Sequence, residues 1–113
     1  MIWLSVALGG AVGACLRYAL FISIGSLGGV PMGTFVANGV GALAMGFLAA
    51  LFRNADSWGS SLRLFILVGV LGALTTFSTF ALEAVDALRA GKSLVAMSYI
   101  VATIIITVGG CWI

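Results

Sequence analysis

The sequence predicts a small all-α membrane protein: four transmembrane helices, the third of them broken near its centre. Three observations point there. First, 63% of the 113 residues are hydrophobic and only 7% are charged, against roughly 25% charged in an ordinary soluble domain. Five Lys/Arg and three Asp/Glu cannot make a water-facing shell around a chain of this size. Second, the apolar residues fall into four runs, each near the ~20 residues that cross a ~30 Å hydrocarbon core at about 1.5 Å per residue. The alternation of a β-barrel is absent, and a helix satisfies its own backbone groups in lipid. Third, one run carries a cluster of hydroxyl residues that breaks its apolar character.

The same composition excludes other classes. A net charge of +2 is too weak for a phosphate-binding surface, so no nucleic-acid partner is expected. There is no histidine, hence no imidazole base and no His metal site. No nucleophile–base pair or metal cluster is evident, which argues against an enzyme. Cys15 and Cys111 lie far apart inside apolar runs and read as small core hydrophobes. No linker divides the chain, so residues 1–113 form one domain.

The first span runs from about residue 2 to 24. It lacks a basic leader and holds Arg17, so it reads as a span and not as a cleaved signal. Gly9 and Gly13 put small residues one turn apart, which lets another helix approach closely. Residues 25–31 follow as a loop with the only proline, Pro31. The second span, 32–52, repeats small residues at Ala42, Gly46 and Ala50 and holds Asn38, with Thr34 one turn earlier. The third span, 62–85, reads Gly72-Ala73-Leu74-Thr75-Thr76-Phe77-Ser78-Thr79-Phe80 in its middle. Four hydroxyls in five positions compete with the helical ladder for backbone hydrogen bonds. Irregular backbone at that depth is tolerated where it is buried in protein or lines a cavity, and its freed carbonyls suit a cation. The alternative is a continuous helix with hydroxyls bonded back to carbonyls one turn earlier. The fourth span, 93–113, carries Tyr99, Thr103 and Thr107 at four-residue spacing, one hydroxyl stripe along a helix. Trp3, Trp58 and Trp112 fall on one face of the membrane in this layout, as interfacial anchors do.

Polar and aromatic residues inside the spans carry the functional information. Phe77 and Phe80 share a helical face. They either pack in the core and lipid, or turn electropositive ring edges into a pore that holds a small anion weakly enough to release it. Asn38 offers two amide donors, either to another helix or to that same ion. The span-four hydroxyls either pack helices or form a track for an ion shedding water. Arg17 either snorkels or lines a positive vestibule. Glu83 either partners Arg17 or marks the interface.

Charge gives almost no orientation signal. Arg53 and Arg63 lie on the face with both termini; Arg89 and Lys92, with Arg17 if it snorkels, lie on the other. Under the positive-inside rule, either another feature orients the chain, or it inserts both ways and pairs as an antiparallel dimer.

Taken together, Gly9-Gly10-Ala11-Val12-Gly13-Ala14-Cys15-Leu16-Arg17-Tyr18, Gly33-Thr34-Phe35-Val36-Ala37-Asn38-Gly39-Val40-Gly41 and, above all, the 72–80 string resemble the Fluc (CrcB) fluoride ion channel family. The resemblance extends over the whole chain in length and span count. It implies an antiparallel, dual-topology homodimer in the cell (inner) membrane, with two pores that pass fluoride selectively and passively out of the cytoplasm. It implies that Phe77, Phe80 and Asn38 line the pore, with Ser78 and Thr79 beside them and Tyr99, Thr103 and Thr107 as the span-four track. It also implies a structural Na+ held by backbone carbonyls at the third-span breaks of both subunits, here Gly72 and Thr75. Threonines stand at 103 and 107 where the family often has serine. Two rivals remain: a small multidrug-type proton antiporter, which needs an embedded carboxylate that span one lacks, and a non-transporting accessory subunit.

Overall fold

The computed structural model describes residues 1–27, 29–53 and 60–112. Four helical passes build it. Helix α1 spans Ile2–Ser23 and α2 spans Met32–Arg53. The third pass is composite: α3 (Ser60–Arg63), a π-helical stretch (Leu64–Leu71), α4 (Gly72–Leu74) and α5 (Phe77–Arg89). Helix α6 spans Ser93–Trp112. All four passes are long and apolar enough to cross a membrane. The chain is a multi-pass membrane protein.

The ends of these elements have local causes. A two-residue antiparallel hairpin, β1 (Ser26–Leu27) with β2 (Val30–Pro31), lies inside the segment expected to be a plain loop. Gly29 takes φ +87 in it, a conformation that favours glycine. The third pass runs past the expected end at Val85 to Arg89, because the helix stops only where Gly91 adopts φ +79. There the Lys92 N–H returns to the Ala87 carbonyl and the Gly91 N–H to Leu88, the pair of bonds that closes a helix C-terminus on glycine. Arg63 donates from Nη2 to the Phe52 carbonyl at 2.9 Å and lies over the Phe52 ring, placing a cation at the C-terminal end of α2.

Packing follows the small residues. A Cβ on Gly9 would meet the Phe65 carbonyl oxygen, and one on Gly13 the Val70 carbonyl oxygen. Gly69 returns the contact, since its own Cβ would meet the Gly9 Cα at 2.7 Å. The α1 glycines therefore seat the widened π-helical turns of the third pass. Helix α2 meets α6 in the same way: a Cβ on Gly46 would meet the Cys111 Cα at 2.7 Å, and the Cys111 thiol donates to the Ala42 carbonyl at 3.2 Å. Ala50 is exposed and takes no part. Both cysteines are exposed on the single chain, not core hydrophobes as expected. Helical periodicity places an apolar residue in a helix but not on the face turned toward its own chain.

Much of the apolar surface faces outward. Leu8, Val12 and Leu16 on α1, and Val101, Ile104, Ile105 and Val108 on α6, are all exposed. Water would not tolerate such continuous faces; lipid does. Trp3 and Trp112 are exposed as well, while Trp58 lies outside the described residues.

Candidate functional site

Between Leu74 and Phe77 the backbone leaves helical geometry. Thr75 has φ −86, ψ 151 and Thr76 has φ −150, ψ 123. The hydroxyls divide the local work. Thr75 Oγ1 donates back to the Leu71 carbonyl at 3.0 Å. Thr76 Oγ1 accepts the Thr79 N–H at 3.3 Å and so caps the start of α5. Gly41 on α2 faces Thr75, where any Cβ would meet the Thr75 methyl, so a glycine lets α2 come up against this segment.

Asn38 is buried, and its amide is committed to the same segment. Its Oδ1 accepts the Thr76 N–H at 2.7 Å and its Nδ2 donates to the Thr76 carbonyl at 3.0 Å. The amide thus imitates a neighbouring backbone and meets the buried polar groups of Thr76. One Nδ2 hydrogen remains. In an unbroken α-helix the Thr76 N–H would serve the Gly72 carbonyl, and the Thr79 N–H the Thr75 carbonyl. Asn38 and Thr76 Oγ1 take those two donors. The carbonyls of Gly72 and Thr75 are thereby relieved of their helical partners, and hard oxygen donors of this kind fit a cation such as sodium. Between them, the Ala73 carbonyl accepts from Arg17 Nε at 3.0 Å.

Beside Thr75 and Thr76 lies a cavity of about 300 Å3 whose lining includes Asn38, Thr75, Thr76, Phe77, Phe80, Thr103, Thr107 and Cys111. Phe77 and Phe80 meet edge to face, with ring centroids 5.5 Å apart and planes at 63°. Their environments differ. Phe80 is buried and its ring packs on Tyr99 at 5.2 Å; Phe77 is 78% exposed. Thr107 Oγ1 donates to the Thr103 carbonyl at 2.7 Å. Thr103 Oγ1 is buried with no hydrogen-bond partner among the described residues.

The other expected site residues lie elsewhere. Tyr99 is on the stripe, but its hydroxyl donates to Glu83 Oε1 at 2.7 Å, while Thr34 donates to Glu83 Oε2 at 2.9 Å. Glu83 therefore joins α2 and α6 to α5 and is not the partner of Arg17. Ser78 is exposed, with its hydroxyl 3.4 Å from that of Thr76. Thr79 lines a second cavity of about 300 Å3 with Arg17, Tyr18, Phe21 and Thr34, so Arg17 combines a bond to the third pass with a place on a cavity wall. Sequence reasoning missed the Thr34–Glu83–Tyr99 set, the role of Gly41, and Cys111. The last had a signal: the four-residue spacing of Tyr99, Thr103 and Thr107 continues one turn further to Cys111.

The described wall of this cavity is uncharged: phenyl rings, one amide, hydroxyls and a thiol beside aliphatic side chains. Comparison with known proteins gives the family. The model of the family described as CrcB-like protein, Camphor Resistance (CrcB), matches residues 4–113.

The chain belongs to this CrcB family.

Relatives in it cover nearly the whole chain. The fluoride-specific ion channel FluC of Paracoccus denitrificans is 42% identical over 106 residues, 93% of this chain and 84% of its own length. The protein of the same name from Methylobacterium sp. is 41% identical over 108 residues, 95% and 87% of the two chains. That from Hyphomonas neptunium is 42% identical over 114 residues, 98% and 90%. The CrcB match spans all four passes and both cavities.

Proposed function

We propose that this chain is a fluoride-selective ion channel of the inner membrane that lets cytoplasmic fluoride leave passively. The observation that carries the reading is the fluoride-specific channel name borne by the three relatives; the neutral cavity supplies the chemistry. Ring edges are electropositive and the spare Nδ2 hydrogen of Asn38 is a donor, so a small anion exchanges water for contacts that carry no formal charge. A fixed cation in that position would hold the ion too long for conduction. The Thr103 hydroxyl, unpartnered among the described residues, with Thr107 beyond it, is the next donor along α6. The potential drives the flow at about 2.3 kcal/mol per charge per 100 mV, and a negative interior expels the anion without a pump.

The finer architecture belongs to the same reading. Two copies pair in antiparallel, dual-topology fashion, supported by the balanced Lys/Arg count and by the outward apolar faces. The third pass stays broken at Thr75–Thr76 in the membrane, supported by the Asn38 bonds and the Thr76 cap. The relieved carbonyls of Gly72 and Thr75 would hold a structural sodium ion at the dimer centre, which would supply a positive charge to these hard oxygen donors. Arg17 enriches anions at the second cavity, with Ser78 and Thr79 on the approach. Tyr99 orders the wall by holding Phe80 and Glu83.

The test is ion flux from vesicles holding only the purified protein and loaded with potassium fluoride. Efflux should begin when valinomycin opens a path for the counter-ion, as an electrogenic uniport requires. Efflux that ignores valinomycin and instead follows a proton gradient would favour the antiporter, and a silent vesicle would favour an accessory subunit.

A further inference from the structure

We propose that Cys111 stands at the mouth of the ion pathway and is a site where a covalent thiol adduct closes it; this rests on the channel reading above. Three observations meet at this residue. The thiol is exposed and lines the same cavity as Asn38, Phe77 and Phe80. It continues the α6 stripe of Thr103 and Thr107 by one turn, and Thr103, whose hydroxyl is buried and unpartnered among the described residues, is on the wall of the same cavity. An unmet hydroxyl in a dry wall is costly unless a ligand or water meets it, so the cavity is built to be occupied along this stripe. Beyond Cys111, a further opening of about 460 Å3 shares Ala42, Thr107 and Cys111 with the first and reaches Trp112 at the helix end. An ion leaving the phenyl rings along α6 therefore passes the sulfur last, where the pathway meets the interface.

One side of Cys111 is closed, because α2 and α6 touch there. Gly46 packs on the Cys111 backbone and the thiol donates to the Ala42 carbonyl. Any group added to the sulfur must project into the opening, since the opposite side is filled by α2. The chemistry is ordinary thiol exchange. The thiol gives its proton to buffer and the thiolate attacks the sulfenyl sulfur of an alkyl methanethiosulfonate. A new S–S bond forms, the reagent's own S–S bond breaks, and methanesulfinate leaves with the electron pair. No outside oxidant is needed.

The experiment uses a Cys15→Ser protein, since Cys15 lies on α1 and lines neither opening. Fluoride efflux from vesicles is measured before and after sulfonatoethyl and trimethylammonioethyl methanethiosulfonate are added on both sides, with mass spectrometry counting adducts. The anionic adduct should lower efflux by about tenfold or more, and the cationic adduct of similar length distinctly less, because charge in a conduit acts on the passing anion according to its sign. In a C111S, C15S protein neither reagent should change the rate. Complete labelling without loss of flux would overturn the proposal. So would equal losses from both adducts, which indicate disturbed helix packing, or a sulfur that takes no label. Absence of fluoride flux before any reagent counts against the channel reading itself and is seen separately.

Discussion

Phe77 and Phe80 are neighbours in sequence and in space, but they differ in what their removal costs. Phe80 is buried against Tyr99, so Phe80→Ile leaves a void and alters the wall as well as removing a ring edge. Phe77 is mostly exposed, so Phe77→Ile separates conduction from folding. It should reduce fluoride efflux about tenfold or more while the unfolding midpoint in detergent stays put; an equal fall in both would remove the ring-edge role. Asn38 has a double duty. Asn38→Ala leaves the Thr76 N–H and carbonyl without partners, a loss of about 0.6–2 kcal/mol per bond in membranes. Asn38→Asp keeps an acceptor for the N–H but sets a carboxylate against the Thr76 carbonyl and against the anion. Its fluoride efflux should fall below that of Asn38→Ser, and a ranking in the opposite order would mean that the amide does not face the ion.

At the scale of elements, the fold depends on bare backbone at a few crossings. Gly9 and Gly10 adjoin, yet a Cβ at Gly9 would strike the Phe65 carbonyl oxygen while one at Gly10 meets nothing within 4 Å. Gly9→Ala should therefore separate α1 from the π-helical turns and deplete folded protein. Gly10→Ala should be tolerated and even gain up to about 1 kcal/mol of helix propensity. Equal stability of the two variants would contradict the packing. The GxxxG spacing announced a close contact but could not name the partner, because that partner, Leu64–Leu71, is an apolar stretch that, Gly69 apart, has no local mark of its widened helix. The four passes were legible because lipid imposes a length and a composition on every helix that crosses it. Asn38, Phe77, Phe80 and Thr103 were legible as candidates because polar and aromatic residues stand out in an apolar run. The bond from Asn38 to Thr76, and the attachment of Glu83 to Thr34 and Tyr99, are tertiary facts between residues 38 and 16 or more positions apart, and no local pattern encodes them. Gly91 marked the end of the third pass better than the loss of hydrophobicity at Asp86 did. Polar residues can continue a helix into the interface, whereas φ +79 stops it.

The whole molecule is thin and leaves long apolar faces uncovered. In the third pass, 29 residues from Ser61 to Arg89 would span about 44 Å as a straight helix at 1.5 Å per residue, well beyond a ~30 Å core. Tilt, and helix ends that reach into the interface, take up the excess; the extended Thr75–Thr76 pair adds to it. With Lys and Arg balanced between the two faces, copies should insert in both directions. A C-terminal tag should accordingly be reached by an impermeant label from both sides of sealed membranes. Adding two lysines at the 90–92 turn should drive the tag to one side and, if antiparallel pairing is required, abolish flux unless an oppositely biased copy is supplied.

A neutral conduit of ring edges, one amide and hydroxyls should pass fluoride and little else. The decisive measurement compares fluoride and chloride efflux from vesicles that contain only this protein, with the Phe77→Ile variant alongside. Fluoride efflux should be fast, chloride efflux negligible, and the variant should lose most of its fluoride flux. Chloride leaving as fast as fluoride, or a variant that conducts like the parent, would contradict that expectation.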